Sequence, residues 1–337
     1  PVIGYFDIAR KDLKEKAIRG LTDAGCRVTD CGIVPSPTVY FAAHHLGIPA
    51  ALVVTASHNP PEFNGFKMVF SGSSLHGRQI AELADLIDTG SLASAGGGTV
   101  SSRDAAADYL AWMRQAFSFR RRLRIGVDTG NGTVGPFLVP LLRSFGFEVH
   151  ALYEESNPDF PHHLPDPVVP DNLADLIALV QRERLDAGIA VDGDGDRLGV
   201  VDDRGRILWG DRLLILFARE VLARRPGAPV IYDVKCTRAL EEEIRKAGGQ
   251  PVMWKTGHSL IEGKLHELHA PLAGELSGHL YFADEYFGYD DAIYAALRLL
   301  RLMDTTSTPL SQMFAGVKEY ASTPEMRLEV PDEEKFG

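Results

Sequence analysis

Residues 123–153 read "LRIGVDTGNGTVGPFLVPLLRSFGFEVHALY". The first five or six residues form an apolar, β-rich run that ends in a glycine-rich turn. "PFLVPLLRSFG" is helical, and "FEVHALY" is a second strand-like run. Strand, turn, helix and strand in that order make the repeating unit of an α/β fold. The alternation continues downstream. "DNLADLIALVQRERL" reads as a helix, "AGIAVDGDGD" as a strand entering a turn, and "GVVDDRGRIL" as a hairpin turning at Asp203, Arg204 and Gly205.

The same theme extends to both sides. Upstream, "VIGYF" is a strand, and "DLKEKAIRGLTDAG" is an amphipathic helix ending on Gly25. "ALVVTA" at 51–56 is a buried strand, and "IAELADLIDTG" is a helix that stops at Gly90. "SLASAGGGTVSS" is small and polar and reads as a linker, and the helical "AAADYLAWMRQAF" opens the next unit. Downstream, helices "DRLLILFAREVLARR", "RALEEEIRKAG" and "LIEGKLHELH" alternate with strands "APVIYDV" and "PVMWKTG". "APLAGELSGHLYF" is strand, loop and strand, and "DDAIYAALRLLRLM" is a helix. Three consecutive α/β units with mostly parallel-type alternation are expected at 1–102, 103–207 and 208–317. "YASTPEMRLEV" starts a fourth at 318–337.

A chain of 337 residues is too long for one ordinary core, which agrees with several units. Hydrophobic content of 45% and charged content of 24% are those of a soluble globular protein. A formal net charge of -11 argues against a general nucleic-acid binder. It leaves room for a small anionic substrate, because local arginines and backbone amides can build a positive pocket in an acidic protein. Cys26, Cys31 and Cys236 are too few and too scattered for a disulfide frame or a zinc site, and a cytoplasmic location is expected. No apolar run approaches a membrane span, and "PVIGYFDIARK" carries no signal-peptide pattern. The abrupt start and the stop at "VPDEEKFG" lead to the expectation that both ends are incomplete.

Three loops carry chemistry. In "VTASHNPPEFNGFK" (54–67), Ser57 lies just past a buried strand, where open α/β sheets bind ligands. Ser57 or Asn59 capping a helix, with Pro60 and Pro61 fixing the turn, is one reading. A hydrolase nucleophile is another. It lacks the Gly-x-Ser-x-Gly context, and a histidine at the next position is expected to face away from its serine. In "VDGDGDRLG" (191–199), Asp192, Asp194 and Asp196 alternate with glycine after an apolar run. Carboxylates spaced this way can converge on one hard cation such as Mg²⁺ and repel one another without it; a solvated acidic turn is the other reading. An EF-hand loop is ruled out, because its turn glycine would fall on Arg197 and the flanks are strands. Arg197 itself is placed to grip a phosphate. In "GELSGH" (274–279), Glu275, Ser277 and His279 alternate, so an extended loop presents them on one side to sugar hydroxyls. An outward-facing polar hairpin explains the pattern as well. "DVKCTR" and "KTGHS" follow strands of the third unit, which makes Lys235, Arg238 and His258 candidates for the same strand-end face, with a surface residue or a helix cap as the other reading of each.

"TASHNP" with "NGFK", "DGDGDR", "KTGHS" and "GELSGH" occur in the order seen in the α-D-phosphohexomutases, and the chain resembles their bacterial phosphomannomutase/phosphoglucomutase branch from about residue 16 to 337. The resemblance implies three related α/β domains with mixed sheets and a smaller C-terminal α+β domain, of which 318–337 would be the truncated start. It implies that Ser57 carries a phosphoryl group and that Asp192, Asp194 and Asp196 hold one Mg²⁺, with the phosphorylated Ser57 as a further ligand. By the same resemblance Lys67 is a general acid/base, its pKa lowered by burial and nearby cations. His58 and Arg197 flank the phosphoserine, Glu275 and Ser277 read the sugar, and Lys235, His258 and His279 line the rest of the pocket. "YFDIAR" only partly matches the family's N-terminal arginine segment, so no role passes to Arg10. The implied reaction interconverts hexose 1- and 6-phosphates, of mannose or glucose, through a hexose 1,6-bisphosphate. The implied partner is a small phosphosugar, with no nucleic acid or membrane, and a monomer is expected with a dimer as the alternative. Phosphoglucosamine mutase is the nearest relative activity; it more often has glutamine where Leu276 stands. A non-catalytic phosphosugar-binding protein is the alternative outside enzymes.

Overall fold

The computed structural model describes residues 2–6, 11–59, 63–90 and 94–323. The first unit contains β1 (Val2–Phe6), α1 (Lys11–Asp23), β2 (Arg27–Ile33), α2 (Ser36–His45), β3 (Ala50–Thr55), β4 (Gly65–Phe70), β5 (Ser73–Ser74), α3 (Arg78–Asp88) and β6 (Thr99–Ser102). The second contains α4 (Ala105–Ala116), β7 (Arg124–Asp128), α5 (Gly135–Ser144), β8 (Glu148–Leu152), α6 (Ala174–Glu183), β9 (Ala187–Val191), β10 (Leu198–Asp202) and β11 (Ile207–Leu208). The third contains α7 (Gly210–Arg224), β12 (Pro229–Asp233), α8 (Arg238–Lys246), β13 (Gln250–Trp254), α9 (His258–Leu268), β14 (Leu272–Gly274), β15 (Leu280–Phe282) and α10 (Ala292–Thr305).

The three sheets repeat one plan. Each has three parallel strands in the order second, first, third, namely β2-β1-β3, β8-β7-β9 and β13-β12-β14. A fourth strand then turns back antiparallel on the third: β4 on β3, β10 on β9 and β15 on β14. The sheets are therefore mixed, and the parallel alternation stops at one edge of each. The hairpin loops 56–64, 192–197 and 275–279 occupy the same place in the three units.

Several segments differ from the sequence reading. The linker expected at 91–102 ends as β6, which pairs parallel with β2 over Arg27–Asp30. All four β6 residues are exposed, so the strand has no apolar face for a hydrophobic pattern to reveal. β2, α2 and β4 carry no assignment in the sequence reading. α2 is short, begins with Pro37 near its N-terminus and is buried on almost every residue, so it lacks an amphipathic stripe. Arg10, the Pro60–Pro61 brace and most of the expected fourth-unit strand lie outside the described residues.

One apolar cluster runs through all three units, from Phe41 and Val53 through Ile125, Leu138 and Ile189 to Phe217, Leu272 and Leu297. Where the second and third units meet, Tyr109 of α4 donates its hydroxyl to Asp291, the N-cap of α10, at 2.9 and 3.0 Å. Tyr286 donates to the same carboxylate at 2.8 Å and the Tyr294 amide at 2.9 Å. Burial outweighs these donors and raises Asp291 from 3.8 to about 7. A raised folded-state pKa stabilises the fold fully below the ordinary carboxylate value, and this contribution is lost as pH rises through the folded value. The wild type should lose up to about 1.4 kcal/mol per pH unit from this group between about pH 4 and 7. Asp291→Asn keeps the acceptor and removes the charge, so denaturant unfolding at pH 5 and 8 should show a flatter slope and a variant more stable than wild type at pH 8. An unchanged slope would contradict this.

Candidate active site

The three equivalent hairpin loops carry the three chemistry-bearing sequences. In the first, Ser57 takes the left-handed backbone conformation (φ 54°), an uncommon one for a residue with a Cβ. Its amide donates to Thr55 Oγ1 at 2.9 Å, and its hydroxyl donates to Asp192 Oδ2 at 2.9 Å. Among the described residues no helix follows Ser57 before β4, so it caps none. His58 does not turn away: its Nδ1 lies 3.1 Å from Ser57 Oγ, because the left-handed turn curls the two side chains together. Its Nε2 faces Arg197 at 3.5 Å rather than a carboxylate, unlike the histidine of a hydrolase triad. Burial, then Arg197, lowers the His58 pKa.

The second loop folds around Asp192. One carboxylate oxygen accepts the amides of Gly195, Asp196 and Arg197 at 3.0, 3.0 and 3.1 Å, and the other takes Ser57. Gly193 is required for close approach, since a Cβ there would sit 2.2 Å from the Ser57 carbonyl oxygen. Asp192, Asp194 and Asp196 are all buried, and one oxygen from each lies within 4.8 Å of the others. Asp194 Oδ1 and Asp196 Oδ1 are buried with no hydrogen-bond partner. Buried carboxylates with idle oxygens fit a hard divalent cation. Burial and the charges of Asp196 and Asp194 push Asp192 well above the ordinary carboxylate range.

Lys67 enters from β4, paired with Asp194 Oδ2 at 2.7 Å and with Asp196 Oδ2. This corrects one expectation. Burial disfavours the ammonium, but Asp194 and Asp196 outweigh it and hold the Lys67 pKa well above the ordinary lysine range. Its neighbours are anions, not the cations expected. Asp196 is in turn held well below its ordinary value, because Lys67, the largest of its opposing neighbours, outweighs its burial.

The third loop docks on the second. Arg197 and His279 form an isolated antiparallel bridge, and the Leu198 amide donates to the Gly278 carbonyl at 3.0 Å. Arg197 Nε donates to His279 Nε2 at 2.9 Å. The His258 ring stacks on His279 at 5.8 Å between centroids. Glu275 is buried, which raises its pKa, and it accepts from Tyr281 Oη at 3.3 Å. Ser277 is half-buried in the same loop, and Lys235 stands exposed just past β12. Arg238 turns outward, 3.6 Å from Glu242, and does not join the cluster.

Two residues absent from the sequence reading support the site. Ser36, fully buried at the start of α2, donates to Asp194 Oδ2 at 2.6 Å. Asp233, at the end of β12, accepts from the Leu276 amide at 3.0 Å and Thr256 Oγ1 at 3.0 Å, tying two loops of the third unit together. The sequence signal for Asp233 is a repeat. "IGVD" (125–128), "IAVD" (189–192) and "VIYD" (230–233) each end an apolar strand on aspartate. Each of these carboxylates accepts an amide from a nearby loop. Ser36 has no comparable signal.

Three family models match the chain: "Phosphoglucomutase/phosphomannomutase, alpha/beta/alpha domain I" at residues 8–94, domain II at 107–205 and domain III at 209–320. The chain is 45% identical over 326 residues to a phosphomannomutase/phosphoglucomutase of Pseudomonas aeruginosa, covering 97% of this chain and 70% of the relative. It is 41% identical over 322 residues to a phosphoglucomutase of Neisseria gonorrhoeae, covering 95% and 70%. A crystal structure of a phosphoglucomutase/phosphomannomutase family protein from Burkholderia thailandensis superposes with a TM-score of 0.90 at 43% identity, covering 96% of this chain and 72% of that one.

Proposed function

The chain belongs to the phosphoglucomutase/phosphomannomutase family of α-D-phosphohexomutases, and on that footing we propose how its residues interconvert hexose 1- and 6-phosphates. The observation that carries the reading is the hydrogen bond from Ser57 Oγ to Asp192 Oδ2, which joins the serine loop to the buried carboxylates. Ser57 carries the phosphoryl group. A substrate hydroxyl displaces Ser57 Oγ at phosphorus, giving a hexose 1,6-bisphosphate. The bisphosphate turns over in the site, and its other phosphate returns to Ser57.

A phosphoserine beside three carboxylates brings a large negative charge into a buried site, so cations must offset it. Asp192, Asp194 and Asp196, with the phosphoserine, hold one Mg²⁺. Mg²⁺ supplies charge neutralisation for the transferred phosphoryl group. Arg197 and His58 flank the phosphate from the other side. Lys67 is an ammonium in this arrangement, which suits protonation of Ser57 Oγ as it leaves. Having given up that proton, the Lys67 amine takes the one released by the attacking hydroxyl, a return to the ammonium that Asp194 and Asp196 favour. Glu275 and Ser277 read the sugar hydroxyls, while His258, His279 and Lys235 complete the pocket. The protein acts as a cytoplasmic monomer on a free phosphosugar, with units at 1–102, 103–207 and 208–317.

Leu276, in place of the glutamine of the amino-sugar branch, favours plain hexose phosphates. Assays on the whole enzyme with glucose 1-phosphate, mannose 1-phosphate and glucosamine 6-phosphate test this, and preference for the amino sugar would overturn it. Glu275→Gln should lower kcat/KM for the preferred hexose by about 10–100-fold, the scale of one hydrogen bond to a charged group. An unchanged value would remove Glu275 from the sugar contacts.

A further inference from the structure

One buried carboxylate beside the site has no part in this scheme. Asp290 lies between β15 and α10 at 4% exposure, and an antiparallel bridge to Tyr281 lays it against the middle of β15. Its Oδ2 is 2.7 Å from His279 Nδ1. The opposite ring nitrogen accepts from Arg197 Nε at 2.9 Å. A guanidinium offers only donors, so in this contact Nε2 presents its lone pair and the ring proton resides on Nδ1, although burial of the ring is outweighed by Asp196 and Asp290, which raise its pKa. The nearest rival for that proton is Asp196 Oδ1, at 3.7 Å, and the other oxygen of Asp196 is taken by Lys67. His279 Nδ1, Asp290 Oδ2 and Asp196 Oδ1 are buried and make no well-aligned hydrogen bond, so the 2.7 Å approach of Asp290 Oδ2 is the nearest acceptor that Nδ1 has. Beyond His279, the Arg197 guanidinium reaches His58 at 3.5 Å and Asp166 at 3.9 Å. Asp290, His279 and Arg197 thus form a line of contacts from the third unit to the serine loop of the first.

We propose that Asp290 is a positioning residue for phosphoryl transfer: its carboxylate holds His279 as the Nδ1–H tautomer, so that Nε2 fixes the Arg197 guanidinium against His58 of the serine loop. The proposal rests on the reading of Ser57 and Arg197 given above. Asp290 touches no reacting atom and acts through His279. Asp290→Asn keeps a carbonyl oxygen that accepts from Nδ1–H, whereas Asp290→Ala leaves that proton without a partner.

Two measurements decide it. Two-bond ¹H–¹⁵N correlation spectra of the histidine-labelled protein, with His279 identified by its absence in His279→Ala, read the tautomer without any need for turnover. The wild type and Asp290→Asn should show Nδ1–H, and Asp290→Ala should shift to Nε2–H or a mixture. In mutase assays of the whole enzyme, Asp290→Ala should lower kcat by about 10–100-fold with KM within about threefold, the scale of losing a partner that orients a site histidine. Asp290→Asn should return to within about threefold of wild type, and adding Asp290→Ala to His279→Ala should cost nothing further. An unchanged tautomer in Asp290→Ala, additive effects in the double variant, or an Asp290→Asn as slow as Asp290→Ala would overturn the proposal. If Asp290→Ala does not fold, Asp290→Ser, whose shorter side chain withdraws the acceptor, takes its place in every comparison. A wild-type enzyme without mutase activity would refute the proposed function, while the tautomer readout would still decide the role of Asp290.

Discussion

Ser57→Ala abolishes turnover, by roughly 10⁴-fold or more, because the phosphoryl group then has no enzyme oxygen to occupy between its two transfers. The expected companion result is in the mass. Intact wild-type protein, after incubation with hexose 1,6-bisphosphate, should be heavier by one phosphate, and Ser57→Ala should not. The physical ground is local. Ser57 sits in a strained left-handed conformation that aims Oγ at Asp192, and a Gly193 with no Cβ lets the two loops touch. Ordinary loop serines have no need of either feature. Removing one hydroxyl should leave the fold intact, so the melting temperature of Ser57→Ala should stay within a few degrees of wild type. A phosphate mapped to another serine, or a Ser57→Ala enzyme with residual activity near wild type, would remove Ser57 from the central step.

Asp194→Asn should lower turnover by about 10²–10³-fold at fixed Mg²⁺, the scale seen when one group that stabilises transition-state charge is lost. Part of that loss should return at higher Mg²⁺, because two of the three carboxylates remain. A second readout needs no catalysis. Mg²⁺ at about 100 times its dissociation constant should stabilise the wild type by about 2.7 kcal/mol through mass action, and the variant by much less at the same concentration. In the metal-free protein the substitution has the opposite tendency, since three buried carboxylates lie close to one another and a single lysine pairs with two of them. Asp194→Asn with wild-type Mg²⁺ dependence would contradict the carboxylate site.

Much of the site is readable one segment at a time. Asp192, Asp194 and Asp196 are legible as a cluster that could hold a cation, because three acids alternate with glycine after an apolar strand. The three loops can also be found in sequence, because each interrupts a β-rich run with polar and glycine residues. Other parts of the site leave no local trace. Ser36 stands in "VPSPT", where proline punctuation looks like an ordinary turn, and its bond to Asp194 spans 158 positions. Arg238 and His258 both follow third-unit strands, yet one turns to Glu242 and the other stacks on His279. Helix orientation makes that choice, and neighbouring residues do not encode it. The Lys67 pKa went the opposite way from expectation for a similar reason. "NGFK" shows a lysine after a turn, but the sign of its neighbours is known only once β4 pairs with β3 and lays Nζ across Asp194 and Asp196.

The sequence alone determined the three α/β units, the order of their loops and the residue types those loops offer. These are local properties: apolar runs of strand length, helical periodicity, and glycine beside acids. Only the tertiary structure decided that all three loops are the same hairpin of a repeated sheet, between the third parallel strand and its antiparallel return. It also decided that these hairpins meet, with Ser57 on Asp192 and Arg197 on His279. Such contacts arise because a common apolar core packs the three sheets together, and core packing depends on shape and burial summed over the whole chain rather than on any one stretch of it.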